Sequence, residues 1–151
     1  MPDAPDAAFA LDRFLPYRVN VLASRISRRL AAVYEQRFGI SIPEWRVLAH
    51  LAANQKISVR EIFERADMDK SKISRAAANL EGAGLIEKRS NASDRRLLEM
   101  SLTDEGRRLF AQIAPLALDY EAQLLDRLSA EERDAFDRAL TKLNAALADP
   151  P

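Results

Sequence analysis

The most restrictive feature of this chain is the stretch from Leu85 to Arg107, which reads as two short strands around a polar tip, followed by a capped helix start. The tip carries Asp94, Arg95 and Arg96 side by side. Just before it, Asp69 to Gly84 is a helix signal with Lys70, Lys72 and Arg75 near its start. A basic helix followed by a basic hairpin suits a two-part reader of duplex DNA. The helix matches the width of the major groove and the hairpin reaches an adjacent minor groove.

Charge distribution supports that reading better than total charge does. The 151 residues sum to a formal net charge of zero. Residues 56–96, however, carry ten bases against seven acids, a local +3, whereas residues 97–151 carry six bases against eleven acids, a local −5. Phosphates respond to local potential, so a basic middle and an acidic tail are compatible with nucleic acid.

Composition narrows the other classes. An apolar fraction of 48% and a charged fraction of 30% are globular values. The length predicts one domain spanning residues 1–151 with a real core. With no cysteine, disulfides, thiolate metal sites and thiol redox sensing are excluded. His50 is the only histidine and has no metal-ligand partners in sequence, so it reads as an ordinary surface or satisfied side chain, and no metal or cofactor is expected. Catalysis would need a nucleophile, an acid–base pair or a phosphate-binding glycine loop, and none is present. No apolar run has transmembrane length and the start lacks a signal peptide, so the expectation is a soluble cytoplasmic protein with no membrane partner.

The periodicities predict a mainly α fold with a small β-wing. Met1–Ala8, rich in Pro, Ala and Asp, is expected to be disordered. A long helix is expected from about Leu11 to Arg37, carrying Leu15, Leu22, Ile26, Leu30 and Val33, with Phe38-Gly39 ending it. Ser41-Ile-Pro-Glu44 is a capping box that opens a helix to about Ala53, with Trp45, Leu48 and Leu51 on its apolar face. Ser58-Val-Arg-Glu61 opens a short helix to about Ala66, Asp67–Asp69 forms a turn, and a helix follows from about Lys70 to Ala83. Centring its buried face on Ile73 puts Ala77, Leu80 and Gly84 inside and Ser71, Arg75, Ala78, Asn79 and Gly82 outside, with Lys72 flanking. Thr103 caps a helix to about Leu128, which Pro115 should kink or break. Ser129-Ala-Glu-Glu132 caps the last helix, to about Ala148.

A short capped helix, a three-residue turn, a basic helix and a wing, flanked by long helices, resemble the MarR family of bacterial winged helix-turn-helix transcriptional regulators. The matching pieces are Trp45-Arg-Val-Leu48, Asn79-Leu-Glu-Gly-Ala-Gly-Leu-Ile86, Asp94-Arg-Arg96 and Leu102-Thr-Asp-Glu-Gly106. The resemblance implies a homodimer in which helices at about 11–37 and 104–148 dimerise and about 42–103 binds DNA. It further implies a palindromic operator and repression relieved by a small-molecule effector.

Site residues follow from both lines of reasoning. Ser71, Lys72 and Arg75 are candidates for base or phosphate contacts in the major groove, with Lys70 as a phosphate contact. Arg96 matches the arginine of the family's Asp-x-Arg pattern, whose implied role is minor-groove insertion, with Arg95 as its rival. Asp94 is expected to orient the tip, while Arg89 and Lys88 are candidate phosphate contacts. Trp45 is a core residue by its apolar setting. The family's effector cleft, between the first, second and fifth helices, makes it a candidate lining residue too, beside Tyr17, Arg18, Arg46 and His50. A carboxylate effector would want a cation such as Arg18 or Arg46. The competing reading is a helical homodimer that binds protein through a winged-helix scaffold; the paired arginines at the tip speak against it.

Overall fold

The computed structural model describes residues 9–148, and the expectation for Met1–Ala8 lies outside them. The helices are α1 (Leu15–Phe38), α2 (Ile42–Asn54), α3 (Val59–Ala66), α4 (Lys70–Gly82), α5 (Asp104–Leu125) and α6 (Ala130–Ala148). The strands are β1 (Ile57–Ser58), β2 (Ile86–Ser90) and β3 (Leu98–Leu102), forming one antiparallel sheet in the order β1-β3-β2. By compactness the chain divides into two units, one ending at Ile113 and the other beginning at Ala114.

Local chemistry sets most boundaries. Ser41, Ser58 and Ser129 each complete a capping box with Glu44, Glu61 and Glu132. Gly39, at φ 66°, closes α1 in the left-handed region, where lacking a Cβ costs nothing. The start of α1 corrects the sequence reading. Leu11–Arg13 is a separate 3-10 turn, Phe14 is extended, and Pro16 stands in the first turn of α1. Proline has no amide for an earlier carbonyl, so the helix begins around it rather than running through from Leu11. Pro115 does not end α5, which is helical from Asp104 to Leu125. The boundary between the two units nonetheless falls beside it.

The core lies in the first unit. Tyr34 from α1, Val47, Leu48 and Leu51 from α2, Ile62 from α3, Ile73, Ala77 and Leu80 from α4, and Met100 from β3 are all at most 2% exposed. Gly84, expected on the buried face of α4, is exposed and lies past the helix end at φ 73°. Sequence reasoning missed β1, which pairs Ile57 with Met100 and anchors the wing to the helix-turn-helix. Two residues are too few for a period-2 signal, and Ser58 was already accounted for as a cap.

The second unit is different. Among the described residues of α6 none is buried, and Phe136, Leu140, Leu143 and Leu147 are 41–82% exposed. At the opposite end of the chain Leu11, Phe14, Leu15 and Leu22 are also exposed.

Where α5 begins, backbones approach closely. A Cβ on Gly106 would stand 2.0 Å from the Leu85 carbonyl oxygen and 3.3 Å from a Leu102 methyl. The first of these distances cannot be relieved by a rotamer change, because the obstacle is backbone. Gly106→Ala is therefore expected to destabilise the fold by at least the roughly 1–3 kcal/mol typical of overpacking. A fall in the urea midpoint relative to wild type, at unchanged slope, is the measurement.

Candidate nucleic-acid interface

The outer face of α4 has the character expected of it. Lys70, Ser71, Lys72, Arg75, Ala78, Asn79 and Gly82 are exposed, while Ile73, Ala76, Ala77 and Leu80 are buried. The helix starts from a tight turn in which Asp67 adopts the left-handed conformation, φ 49° and ψ 50°. Asp69 precedes α4 without a side-chain cap, and its carboxylate lies 3.9 Å from the Lys72 ammonium.

The wing tip is organised by two short acids and amides. The Asn91 side-chain oxygen accepts from the amides of Ser93 (2.8 Å) and Asp94 (3.1 Å), an Asx-type turn. Its amide nitrogen donates to Glu99 across the strands. Asp94 accepts from the Arg96 amide at 3.0 Å, and its carbonyl accepts from the Leu97 amide at 3.1 Å. Asp94 thus holds backbone, leaving the arginine side chains to point outward. Asn91 was missed by the sequence reading, although Asn-x-Ser-Asp is a recognisable turn signal.

The basic residues fall into two groups. Arg60, Lys72, Lys88 and Arg89 each have a carboxylate partner, in Glu64, Asp69, Glu81 and Glu87 respectively. Among the described residues no carboxylate lies within 4.0 Å of Lys70, Arg75, Arg95 or Arg96. Those four cations lie on α4 and at the tip. Exposed ion pairs are weak, so Lys72 and Arg89 can change partners at small cost; Lys88, only 24% exposed and tied to the end of α4, is the least available.

Behind α4 the supports are specific. Asn79 donates to Glu44 at 3.1 Å, linking the outer face of α4 to the capping box of α2. At the far end Thr103 donates to the Gly84 carbonyl (2.7 Å) and accepts from the Gly106 amide (3.0 Å), while its own amide donates to Leu85 (3.1 Å). Helix α4, the wing and α5 therefore meet at one hydrogen-bonded junction.

The five residues expected around an effector are dispersed. Trp45 is sandwiched between Tyr34 and Phe110, each ring centroid 5.5 Å away and stacked, so it packs α1, α2 and α5 together. Tyr17 and Arg18 lie on an exposed stretch of α1. Arg46 donates to the Ala66 carbonyl at the end of α3 (3.5 Å) and lines a groove of about 530 Å³ between α1 and the α3–α4 turn. Tyr17, Arg18, Trp45 and His50 take no part in lining it. His50 is half-buried, and burial, with Arg65 and Arg46 nearby, lowers its pKa, so at neutral pH it offers no charge to an acid. Among the described residues no group of three or more His, Cys, Asp or Glu is arranged to hold a metal, and no helix is long and apolar enough to cross a membrane.

Comparison with known proteins agrees with this geometry. The model of the MarR family matches residues 38–97, from the end of α1 through the wing tip. An HTH-type transcriptional repressor of Mycobacterium tuberculosis is 29% identical over 133 residues, covering 87% of this chain and 92% of its own. The HTH-type transcriptional repressor MdtR of Bacillus subtilis is 33% identical over 97 residues, 64% of this chain and 63% of its own. The crystal structure of a MarR/EmrR family transcriptional regulator from Acinetobacter sp. ADP1 superposes with a TM-score of 0.83 at 29% identity, covering 92% of this chain and 98% of that one.

The aromatic stack has a measurable signature. Burial, then the neighbouring Glu35 charge, raises the Tyr34 pKa to about 12 against the lowering effect of Arg46. The folded protein thus keeps a proton that the unfolded chain releases near pH 10, so stability falls as pH rises from about 10 to 12. In an ultraviolet titration one tyrosine should ionise near pH 12, that component should vanish in Tyr34→Phe, and the same substitution should flatten the alkaline loss of stability.

Proposed function

Because this chain belongs to the MarR family of winged-helix transcriptional regulators, which bind DNA and are not enzymes, we propose that it acts as a homodimeric repressor on a palindromic operator. The observation that carries the reading is the placement of the unpaired cations Lys70, Arg75, Arg95 and Arg96 on the outer face of α4 and at the wing tip. Ser71, Lys72 and Arg75 enter the major groove, Lys70 and Arg89 hold phosphates, and Arg95 or Arg96, oriented through Asp94, enters the minor groove. The exposed apolar residues of α6 and of the start of α1 support the dimer, since uncovered patches of this kind mark interfaces. Two-fold symmetry then sets the recognition helices one DNA turn apart, roughly 34–36 Å. A small aromatic or carboxylate-bearing ligand relieves repression by binding the DNA-incompetent arrangement more tightly.

The test uses the full chain and DNA from upstream of its own gene. Light scattering should give twice the chain mass of 16.9 kDa. Arg75→Ala should cost roughly 1–3 kcal/mol of specific binding and relax preference at one base per half-site. Lys70→Ala should weaken all sequences alike and flatten the salt dependence. Arg96→Ala should weaken operator binding with the melting temperature unchanged. Full-strength binding by a variant carrying both Arg95→Ala and Arg96→Ala would sink the minor-groove assignment, and a monomer that bound a palindrome tightly would sink the architecture.

A further inference from the structure

Glu44 stands in the first turn of α2 and reaches Asn79 on α4, 35 residues later in the chain. Both of its carboxylate oxygens are engaged. Oε2 accepts from the Ser41 amide at 3.0 Å, the capping-box bond, and Oε1 accepts from Nδ2 of Asn79 at 3.1 Å. Among the described residues no cation lies within 4.0 Å of Glu44. Capping alone needs no charge at this position, since glutamine completes the same box. A carboxylate without a cation, beside the outer face of α4, also repels phosphate. What the charge adds is its hold on Asn79.

An ionised carboxylate can only accept. The Asn79 amide must therefore turn its nitrogen toward Glu44. Turned over, it would set a carbonyl oxygen against a carboxylate oxygen, two acceptors with no proton between them. The partner's chemistry thus fixes which way the amide points. One N–H is engaged by Glu44, and one N–H and Oδ1 remain. The side chain is exposed, and among the described residues nothing donates to Oδ1. Asn79 follows Arg75 by four residues (79 − 75), so it lies one turn along the same stripe of α4. The rise between them is roughly 6 Å.

Resting on the DNA-binding reading above, we infer that Asn79 reads an adenine in the major groove, and that Glu44 is the positioning residue that restricts it to that base. Adenine offers the N6 donor beside the N7 acceptor, the complement of the N–H and Oδ1 that Asn79 has left. Guanine offers two acceptors, O6 and N7. A free amide can turn its N–H groups toward both. Asn79 cannot, because Glu44 takes one N–H and holds Oδ1 outward, where it meets O6 acceptor to acceptor. The cost of the Glu44 charge is some affinity for phosphate, and its return is discrimination between the two purines. A rise of roughly 6 Å against base steps of about 3.4 Å puts this adenine about two base pairs from the position that Arg75 reads in each half-site.

The experiment enriches a random-sequence duplex library on the full wild-type chain, on Asn79→Ala and on Glu44→Gln. Wild type should enrich adenine at one position per half-site, and Asn79→Ala should lose the preference at that position alone. Fluorescence anisotropy then compares the enriched duplex with its adenine-to-guanine version, for which wild type should discriminate about tenfold or more. Glu44→Gln keeps the capping box and so the melting temperature. It should bind the adenine duplex as tightly as wild type or more so, yet discriminate by only about threefold or less. Placing 7-deazaadenine at that position, which removes the N7 acceptor, should weaken wild type about threefold or more and leave Asn79→Ala unaffected. Enrichment by Asn79→Ala of the wild-type site at every position would overturn the base contact. Wild-type discrimination by Glu44→Gln would overturn the positioning role. Either result leaves the DNA-binding reading intact, whereas a wild-type chain that enriched no sequence would overturn that reading and this inference together.

Discussion

The hydrogen bonds of Thr103 are the constraint on which the working half of this structure depends. One side chain donates to the Gly84 carbonyl just past α4 and caps the first turn of α5, while its amide donates to the Leu85 carbonyl. Three elements with different periodicities are thereby tied at one point. Gly106 makes the arrangement possible, since any Cβ would meet the Leu85 carbonyl. The wing cannot rotate against α4 without breaking bonds at this junction.

Much of this was legible because local signals agreed with one another. Three Ser-x-x-Glu boxes fixed helix starts, and the period of α4 separated Ile73 and Leu80 from Ser71 and Arg75. The readings failed where a signal was short or two signals competed. Pro16 split the apolar pattern of the first helix, and β1 was too brief to show alternation. Gly84 continued the helical count but belonged to the turn, because its φ of 73° lies outside the helix.

The effector region was less legible for a different reason. Adjacent residues on a helix face different neighbours, and a sequence gives their angle but not what waits there. Trp45 and Arg46 looked like two walls of one cleft. They serve two surfaces, one filled by Tyr34 and Phe110 and the other open beside Asp67. Tyr17 and Arg18 each stand 28 residues before Trp45 and Arg46 in the chain (45 − 17 and 46 − 18), and only tertiary packing decides whether they approach α2. The exposed end of α1 that carries them is apolar at Leu15, Val19 and Leu22. That pattern suits a partner helix better than a soluble ligand.

The net charge of zero is where sequence totals mislead most about function. Cations that would repel one another within the fold are matched with nearby carboxylates: Arg60 with Glu64, Lys88 with Glu81, Arg107 with Asp104 and Arg108 with Glu105. Each such pair cancels its own field beyond a Debye length of about 8 Å in physiological salt. The cations without a carboxylate within 4.0 Å include Lys70 and Arg75 on α4 and Arg95 and Arg96 at the tip. Asp94 lies beside that set in sequence, and its carboxylate accepts from the Arg96 amide rather than pairing with a guanidinium. The same carboxyl that lowers the formal charge thus helps to fix the loop from which the arginines project.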